Sequence, residues 1–160
     1  MVLLNQHIAG TPMKHTGGCH CGQVTFETDL EPMLIAQCNC QSCRTITGSF
    51  NLGAMYAVDE IKITGETDSY TYEGGSGYDN IASFCKNCHV RVTVHNTVME
   101  GMIGIPLGTF KEAKSLSPKL EIWTSEKLGF LKTSDCIVES FEDSGIAERL
   151  GALLEAMDNR

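Results

Sequence analysis

The chain has 160 residues and a formal net charge of −8 at pH 7, a size that suits one globular domain. Hydrophobic residues make up 42% and charged residues 20% of the sequence, a composition that excludes a disordered chain and a membrane protein. The acidic balance would repel a phosphate backbone, so it argues against nucleic acid as a partner.

Residues 1–16 are predicted to form an N-terminal arm before the domain. At most four apolar residues follow one another at its start, with no basic segment, so the arm lacks the pattern of a secretory signal. No segment approaches the roughly 20 apolar residues of a membrane span. We therefore expect a cytoplasmic protein. In that compartment the eight cysteines are poor disulfide candidates, and metal binding is the first interpretation of clustered ones.

The segment from Gly22 to about Phe141 mostly shows the alternation of β-strands, with glycine-rich turns between them. The clearest strand patterns are QVTFET, EIKIT, SYTYE and VRVTV. In the last of these, Val90, Val92 and Val94 are predicted to share one face. This rhythm of short strands predicts an all-β domain over residues 17–142.

A glycine-rich stretch, GGSGYDN, lies at residues 74–80. Glycines of this kind can hold a phosphate group, but the stretch lacks the G-x-x-x-x-G-K-[ST] pattern. The IASF segment that follows it predicts a strand rather than a helix. A plain hairpin loop is therefore predicted.

A C-terminal helix is predicted over residues 143–160. Its apolar residues recur at helical spacing on one stripe, and Asp143 or Ser144 can cap the first turn. The stripe consists of Ile146, Leu150, Leu153, Leu154 and Met157. Such a stripe is typical of packing, so we expect it to contact the sheet or a second copy of the chain in a homodimer.

Two separated cysteine pairs predict one tetrahedral metal site. Cys19 and Cys21 form a C-x-C motif, and Cys85 and Cys88 form a C-x-x-C motif. Tight turns of this kind direct two sulfurs at one ion, and two such turns complete four-coordinate zinc. A thioredoxin-like redox motif would need a helix after Cys85, where the sequence predicts a strand. The spacing of ferredoxin iron–sulfur ligands is also absent.

Three further cysteines, Cys38, Cys40 and Cys43, lie within six residues in AQCNCQSCRT. Three thiolates from one loop, with an open fourth position, are the general form of a catalytic zinc site. Alternatively, a distant side chain closes the site, for which Cys136 and the five histidines are candidates. Cys136 stands beside apolar residues and is predicted to be buried in the core. A structural or surface role is predicted for the histidines His7, His15, His20 and His95.

With the motifs GGCHCGQVTF, CNCQSCRTITGSF and FCKNCH, the sequence resembles the glutathione-dependent formaldehyde-activating enzyme family from about Gly17 to Ile122. The resemblance implies a zinc-stabilised β-sandwich of short antiparallel strands, here followed by the C-terminal helix. It also implies a structural zinc on the two pairs and a catalytic zinc on the triple. The family usually has glycine at the position of His89, so we expect a positive φ angle there, which histidine adopts more readily than most residues.

The reaction implied by the resemblance is that of a zinc-dependent carbon–sulfur lyase or synthase. It adds the thiol of glutathione to formaldehyde and gives S-hydroxymethylglutathione. A metal-bound thiol is a thiolate at neutral pH and therefore a ready nucleophile. Arg44 and Lys86 flank the metal motifs and could meet a carboxylate of the thiol, or be solvated. The alternatives are a non-catalytic zinc module that binds a protein or a thiol metabolite, and a redox or metal sensor.

Overall fold

Eleven β-strands and two α-helices make up half of residues 14–159, the part of the chain that the computed structural model describes. The elements are β1 His15–Gly18, β2 Thr25–Thr28, β3 Leu34–Cys38, α1 Gln41–Thr47, β4 Asn51–Ala57, β5 Lys62–Thr64, β6 Thr67–Glu73, β7 Asp79–Cys85, β8 Arg91–Asn96, β9 Met102–Pro106, β10 Leu120–Ile122, β11 Glu139–Ser140 and α2 Ile146–Asp158. Strand β1 begins inside the predicted N-terminal arm; residues 1–13 of that arm, with His7, lie outside the described residues.

The strands form two sheets. One has three antiparallel strands in the order β1-β2-β5, and the other has eight in the order β11-β10-β3-β4-β9-β8-β7-β6. All pairs in the larger sheet are antiparallel except β3 with β10 and β10 with β11, which are parallel. The predicted all-β fold with a C-terminal helix is confirmed, and these two parallel pairs are its departure from a purely antiparallel arrangement.

An aromatic core joins the smaller sheet to the larger one. The rings of Phe26 and Phe110 meet edge to face with centroids 4.8 Å apart, and Tyr56 stacks on Phe110 from the larger sheet. Isoleucines of β3 and β9 complete this cluster. A side chain at Gly17 would collide with the carbonyl oxygen of Thr109 and the ring of Phe26, so this close approach of β1 requires glycine.

Strand β8 contains a register shift that changes which residues face the same way. Ser83 pairs with Thr93, whereas Phe84 pairs with Arg91, so Val92 is an extra residue on its strand. Val92 packs in a small cluster with the metal-site cysteines, whereas Val94 lines a cavity on the other side of the strand. The prediction that Val90, Val92 and Val94 share one face is therefore wrong, because regular alternation stops at the shift.

Helix α2 begins later than predicted and has a different cap. Its N-cap is Gly145, with φ of 50°, and no side chain caps the helix. The carboxylate of Asp143 instead accepts a hydrogen bond of 2.9 Å from the Gly145 N–H. The prediction that Asp143 or Ser144 caps the first turn is wrong, because a left-handed glycine already redirects the chain there.

One face of α2 packs on the larger sheet. Leu153 is buried against Met99 and Met102, with Ile146 and Leu150 at the edge of this cluster. Leu154 and Met157 are 62% and 50% exposed, so the buried face is narrower than the predicted stripe. Neither of the described helices is long and apolar enough to cross a membrane.

The segment between β10 and β11 is attached to the sheet by a buried carboxylate. Glu121 is 1% exposed and accepts hydrogen bonds from Lys127 Nζ (2.7 Å), Thr133 Oγ1 (2.6 Å) and Ser140 Oγ (2.9 Å). Burial alone would raise the pKa of Glu121, but these three donors lower it. Cys136 lies on this segment, partly exposed and 3.1 Å from Ser134 Oγ, so its predicted place in the core is wrong.

Candidate active site

The two separated cysteine pairs meet at one point, as predicted. The Sγ atoms of Cys19, Cys21, Cys85 and Cys88 all lie within 4.8 Å of one another. Cys21 Sγ is 3.5 Å from Cys19 Sγ and 3.7 Å from Cys85 Sγ. Zinc–sulfur bonds of about 2.3 Å in a tetrahedron place the sulfurs about 3.8 Å apart, so this donor set fits zinc.

Two tight turns direct these sulfurs inward. In the first turn Gly22 N–H donates to the Cys19 carbonyl (3.1 Å) and Val24 N–H donates to Cys19 Sγ (3.2 Å). In the second, His89 N–H donates to the Cys85 carbonyl (2.9 Å), and His89 has the expected positive φ, 57°. His20 is exposed between its two cysteine neighbours and joins neither metal cluster.

The second cluster is built on a strand and a helix rather than on one loop. Cys38 ends β3, Cys40 is the N-cap of α1, and Cys43 lies in the first turn of that helix. Their Sγ atoms lie within 4.8 Å of one another, and Cys43 N–H donates to Cys40 Sγ (3.4 Å). The prediction of a loop is wrong, because a seven-residue helix closed by Gly48 in the left-handed region holds the third cysteine.

Hydrogen bonds within this triple shift the pKa values of its three thiols in different directions. Donation from Cys38 and Cys43, supported by the N–H groups of Cys43 and Gly75, lowers the pKa of Cys40 to about 2. The same contact with Cys40 raises the pKa of Cys38 to about 12, and contacts with Cys38 and Cys40 raise that of Cys43. These contacts disfavour three simultaneous thiolates, and a soft cation held by the three sulfurs would remove that penalty.

The stretch GGSGYDN forms the predicted hairpin loop between β6 and β7, closed by a 2.8 Å hydrogen bond from Gly74 N–H to the Tyr78 carbonyl. It also contacts the triple, which the sequence did not indicate. A Cβ atom at Gly75 would lie 2.9 Å from Cys40 Cβ and 3.2 Å from its Sγ. Only glycine allows the hairpin to approach this sulfur so closely.

The triple opens into a cavity of about 110 Å³ between the larger sheet, the hairpin and α2. One wall is apolar, with Leu34, Met55 and Leu153, and Trp123, the single tryptophan of the chain, lies beside it. The polar lining consists mainly of Asn51, Asn80, Asn96, Tyr72 and two arginines. Among residues 14–159 the lining contains no aspartate, glutamate or histidine, so this part of the chain places no carboxylate or imidazole there to take a proton from a substrate.

The two arginines lie 58 residues apart in the sequence and reach the cavity from different elements. Arg91 begins β8 and donates to Asn51 Oδ1, and Arg149 projects from α2. Sequence reasoning missed both, because it considered only cations next to a cysteine motif. Of those, Arg44 donates to the Asn39 carbonyl (3.3 Å), and Lys86 lies 3.5 Å from Glu66 at the surface; neither lines the cavity.

No fourth histidine, cysteine or carboxylate joins the triple within residues 14–159. Cys136 is in neither cluster. His15 is buried in β1 with Nε2 2.9 Å from Glu31, and His95 Nδ1 lies 3.2 Å from the Met102 carbonyl. The described part of the chain therefore provides three thiols that could hold a metal ion and a cavity that they line.

Two comparisons with known proteins extend this description. A family model described as glutathione-dependent formaldehyde-activating enzyme matches residues 14–126, a stretch that contains both cysteine clusters. The fold is also similar to that of a solved crystal structure of a protein from Rhodobacter sphaeroides, with 17% sequence identity and a TM-score of 0.45. That similarity covers 79% of this chain and 98% of the other.

Proposed function

The chain belongs to the glutathione-dependent formaldehyde-activating enzyme family, and we propose on this premise that it is a zinc-dependent carbon–sulfur lyase or synthase. Its substrates would be glutathione and formaldehyde, and its product S-hydroxymethylglutathione. One observation carries the proposal: three convergent thiols lie on the wall of a cavity to which the described residues contribute no carboxylate or imidazole as a base.

In the proposed reaction a carbon–sulfur bond forms and the carbonyl double bond of formaldehyde becomes a single bond. The thiol proton ends on the former carbonyl oxygen, so no oxidant or reductant is consumed. A zinc ion held by Cys38, Cys40 and Cys43 would lower the pKa of a thiol at its open position, which supplies the nucleophile at neutral pH. Since no carboxylate or imidazole of residues 14–159 lines the cavity, the metal would be the group that favours the thiolate.

The protein itself would position the aldehyde and receive the developing charge on its oxygen. Burial raises the pKa of Tyr72, with the nearby Cys43 charge acting in the same direction, so the hydroxyl is protonated at neutral pH and can donate a hydrogen bond. The amide groups of Asn51 and Asn80 line the same space. The apolar wall excludes water on the other side, which strengthens these interactions.

The four-cysteine cluster would hold a second, structural zinc, giving two zinc ions per chain. Its sulfurs are already at tetrahedral separation, and four protein ligands leave no position for a substrate. A cytoplasmic location suits the proposal, because glutathione is the main soluble thiol there and free cysteines persist in that compartment.

A non-catalytic zinc module would require a closed second site or no second metal. The three-ligand arrangement and its cavity favour an open site instead. A redox or metal sensor would use the thiols of the triple reversibly, without turnover of formaldehyde. Both alternatives can therefore be separated from the enzyme by one kinetic measurement.

That measurement is exchange spectroscopy of glutathione and formaldehyde at equilibrium. We expect zinc-loaded protein to accelerate interconversion of free glutathione and its hydroxymethyl adduct relative to buffer. Cys38→Ala should abolish the acceleration, and Cys136→Ala, which changes a cysteine outside both clusters, should retain it. Unchanged exchange with fully zinc-loaded protein would contradict the proposal.

A spectroscopic test addresses the open position directly. Cobalt-substituted protein should change its visible spectrum when glutathione is added, because a sulfur ligand replaces water. S-methylglutathione, whose sulfur is capped, should not produce this change. If no thiol changes the spectrum, the second site is closed and the binding-module alternative is favoured.

A further inference from the structure

The charge of the cavity is opposite to that of the whole protein. The chain carries 20 acidic and 12 basic residues, yet among residues 14–159 two arginines and no aspartate or glutamate line the space in front of the triple, whose cysteines are the other ionisable groups near Arg149. A water-accessible surface of this protein would by chance present more acids than bases. A cavity that collects cations in an acidic protein therefore indicates an anionic ligand.

The guanidinium of Arg149 has more N–H donors than its hydrogen bonds within the protein use. It is partly buried, and its guanidinium donates to the Ser144 carbonyl (3.2 Å) and to Met99 Sδ (3.7 Å), both uncharged acceptors. No carboxylate of residues 14–159 forms an ion pair with it. A guanidinium has five N–H donors, remains charged at neutral pH and fits a carboxylate with two parallel hydrogen bonds.

Arg91 presents the second cation from the opposite wall. Its guanidinium donates to Asn51 Oδ1 and interacts with the Tyr72 hydroxyl, so its position is fixed by neutral groups. It too forms no ion pair among the described residues. The register shift in β8 is what turns this side chain toward the cavity.

We propose that Arg149 and Arg91 bind carboxylates of the thiol substrate, so that the cavity selects a thiol with carboxylates over neutral or cationic thiols. Arg149 is then a residue that determines specificity, and it lies on α2, beyond the stretch that matches the family. The inference rests on the proposed function for its thiol substrate. Recognition of carboxylates does not itself require any reaction with formaldehyde.

The test is a binding titration followed by the fluorescence of Trp123, the single tryptophan, which lines the same cavity. Zinc-loaded protein is titrated with glutathione, with glutathione esterified at both carboxylates, with S-methylglutathione and with cysteamine. We expect glutathione to bind at least about tenfold more tightly than its diester, because the diester lacks the charged carboxylates that accept these hydrogen bonds. Cysteamine, a small cationic thiol, should bind more weakly still.

Variants assign this preference to the arginines. Arg149→Gln and Arg91→Gln should each weaken binding of glutathione about tenfold while leaving that of the diester nearly unchanged. Arg149→Lys keeps the charge without the planar fork and should retain part of the preference. Lys132→Gln removes the same charge from an exposed position away from the cavity and should bind like the wild type.

S-methylglutathione separates this inference from the proposed function. Its sulfur cannot be deprotonated, but its carboxylates are intact, so it should lose affinity in the arginine variants even if formaldehyde is not a substrate. Equal binding of glutathione and its diester to the wild type would overturn the inference, whether or not a variant folds. So would an Arg149→Gln protein that loses affinity for both ligands equally, or that loses the second zinc, because Arg149 would then support the cavity or the metal.

Discussion

Replacing one cysteine in each cluster should affect folding very differently. Cys21 and Cys85, whose sulfurs are 3.7 Å apart, are separated by 64 residues in sequence. An unfolded chain would have to close that loop before both pairs could hold one ion, at a cost of about 4 kcal/mol in the chain-entropy description of cross-links. The ion therefore favours the folded domain by up to about that amount, and Cys85→Ala should remove this stabilisation.

The free-energy cost of loop closure is smaller for the triple. Cys38 and Cys43 are five residues apart, so the same relation gives a closure cost of about 2 kcal/mol. An ion at the triple discriminates less strongly between folded and unfolded chains. For a chain of this length we expect the midpoint of thermal unfolding to fall by about 8–16 °C in Cys85→Ala and by about 4–8 °C in Cys43→Ala.

The assay is thermal and urea unfolding of zinc-loaded proteins, followed by circular dichroism, with metal analysis of each sample. Cys136→Ala serves as the matched control, since a partly exposed cysteine outside both clusters should change stability by less than about 0.5 kcal/mol. The reasoning is refuted if Cys85→Ala and Cys43→Ala lower the midpoint equally. Loop length would then not determine how much each ion stabilises the fold.

Three further outcomes are expected. Metal analysis of protein purified without chelator should give two zinc ions per chain and one in Cys43→Ala; one ion or none in the wild type would contradict two sites. Gly75→Ala should displace the hairpin and weaken metal binding at the triple, whereas Gly129→Ala, where a Cβ meets nothing within 4 Å, should bind metal normally. Lys127→Met should lower the free energy of unfolding by about 3 kcal/mol at pH 7, measured by urea unfolding, because it leaves the buried carboxylate of Glu121 without a cation. The pKa of Glu121 is lowered in the folded state, so its contribution is present above the ordinary carboxyl pKa and is lost as pH falls through the folded value; an equal cost of Lys127→Met at low pH would contradict this assignment.

The two cysteine clusters could be predicted from sequence because the geometry of each motif is local. Two cysteines on one tight turn direct both sulfurs to the same side, whatever the rest of the fold does. The positive φ of His89 follows from the same turn, and the structure places it at 57°. The strand pattern was equally informative, since alternation reports burial of one face directly.

The walls of the cavity could not be predicted in this way. Arg91 reaches it through a register shift, and Arg149 through the packing of a helix more than 100 residues after the triple. Gly75 resembled an ordinary hairpin glycine, because the residues around it in the sequence do not indicate its contact with Cys40. Helix α1 was missed for another reason: seven residues span only two turns, too few for an apolar period to appear.

The position of Arg149 and Leu153 in the cavity wall has a consequence for how such proteins diverge. All seven metal-ligand candidates lie before residue 89, within the stretch that matches the family, whereas this wall lies on a helix that follows the stretch. On the proposed function, mutations in the helix would change which molecule is accepted while the cysteine clusters stay intact. Two chains with identical cysteine motifs would then act on different thiols, and helix α2 is the place to compare them.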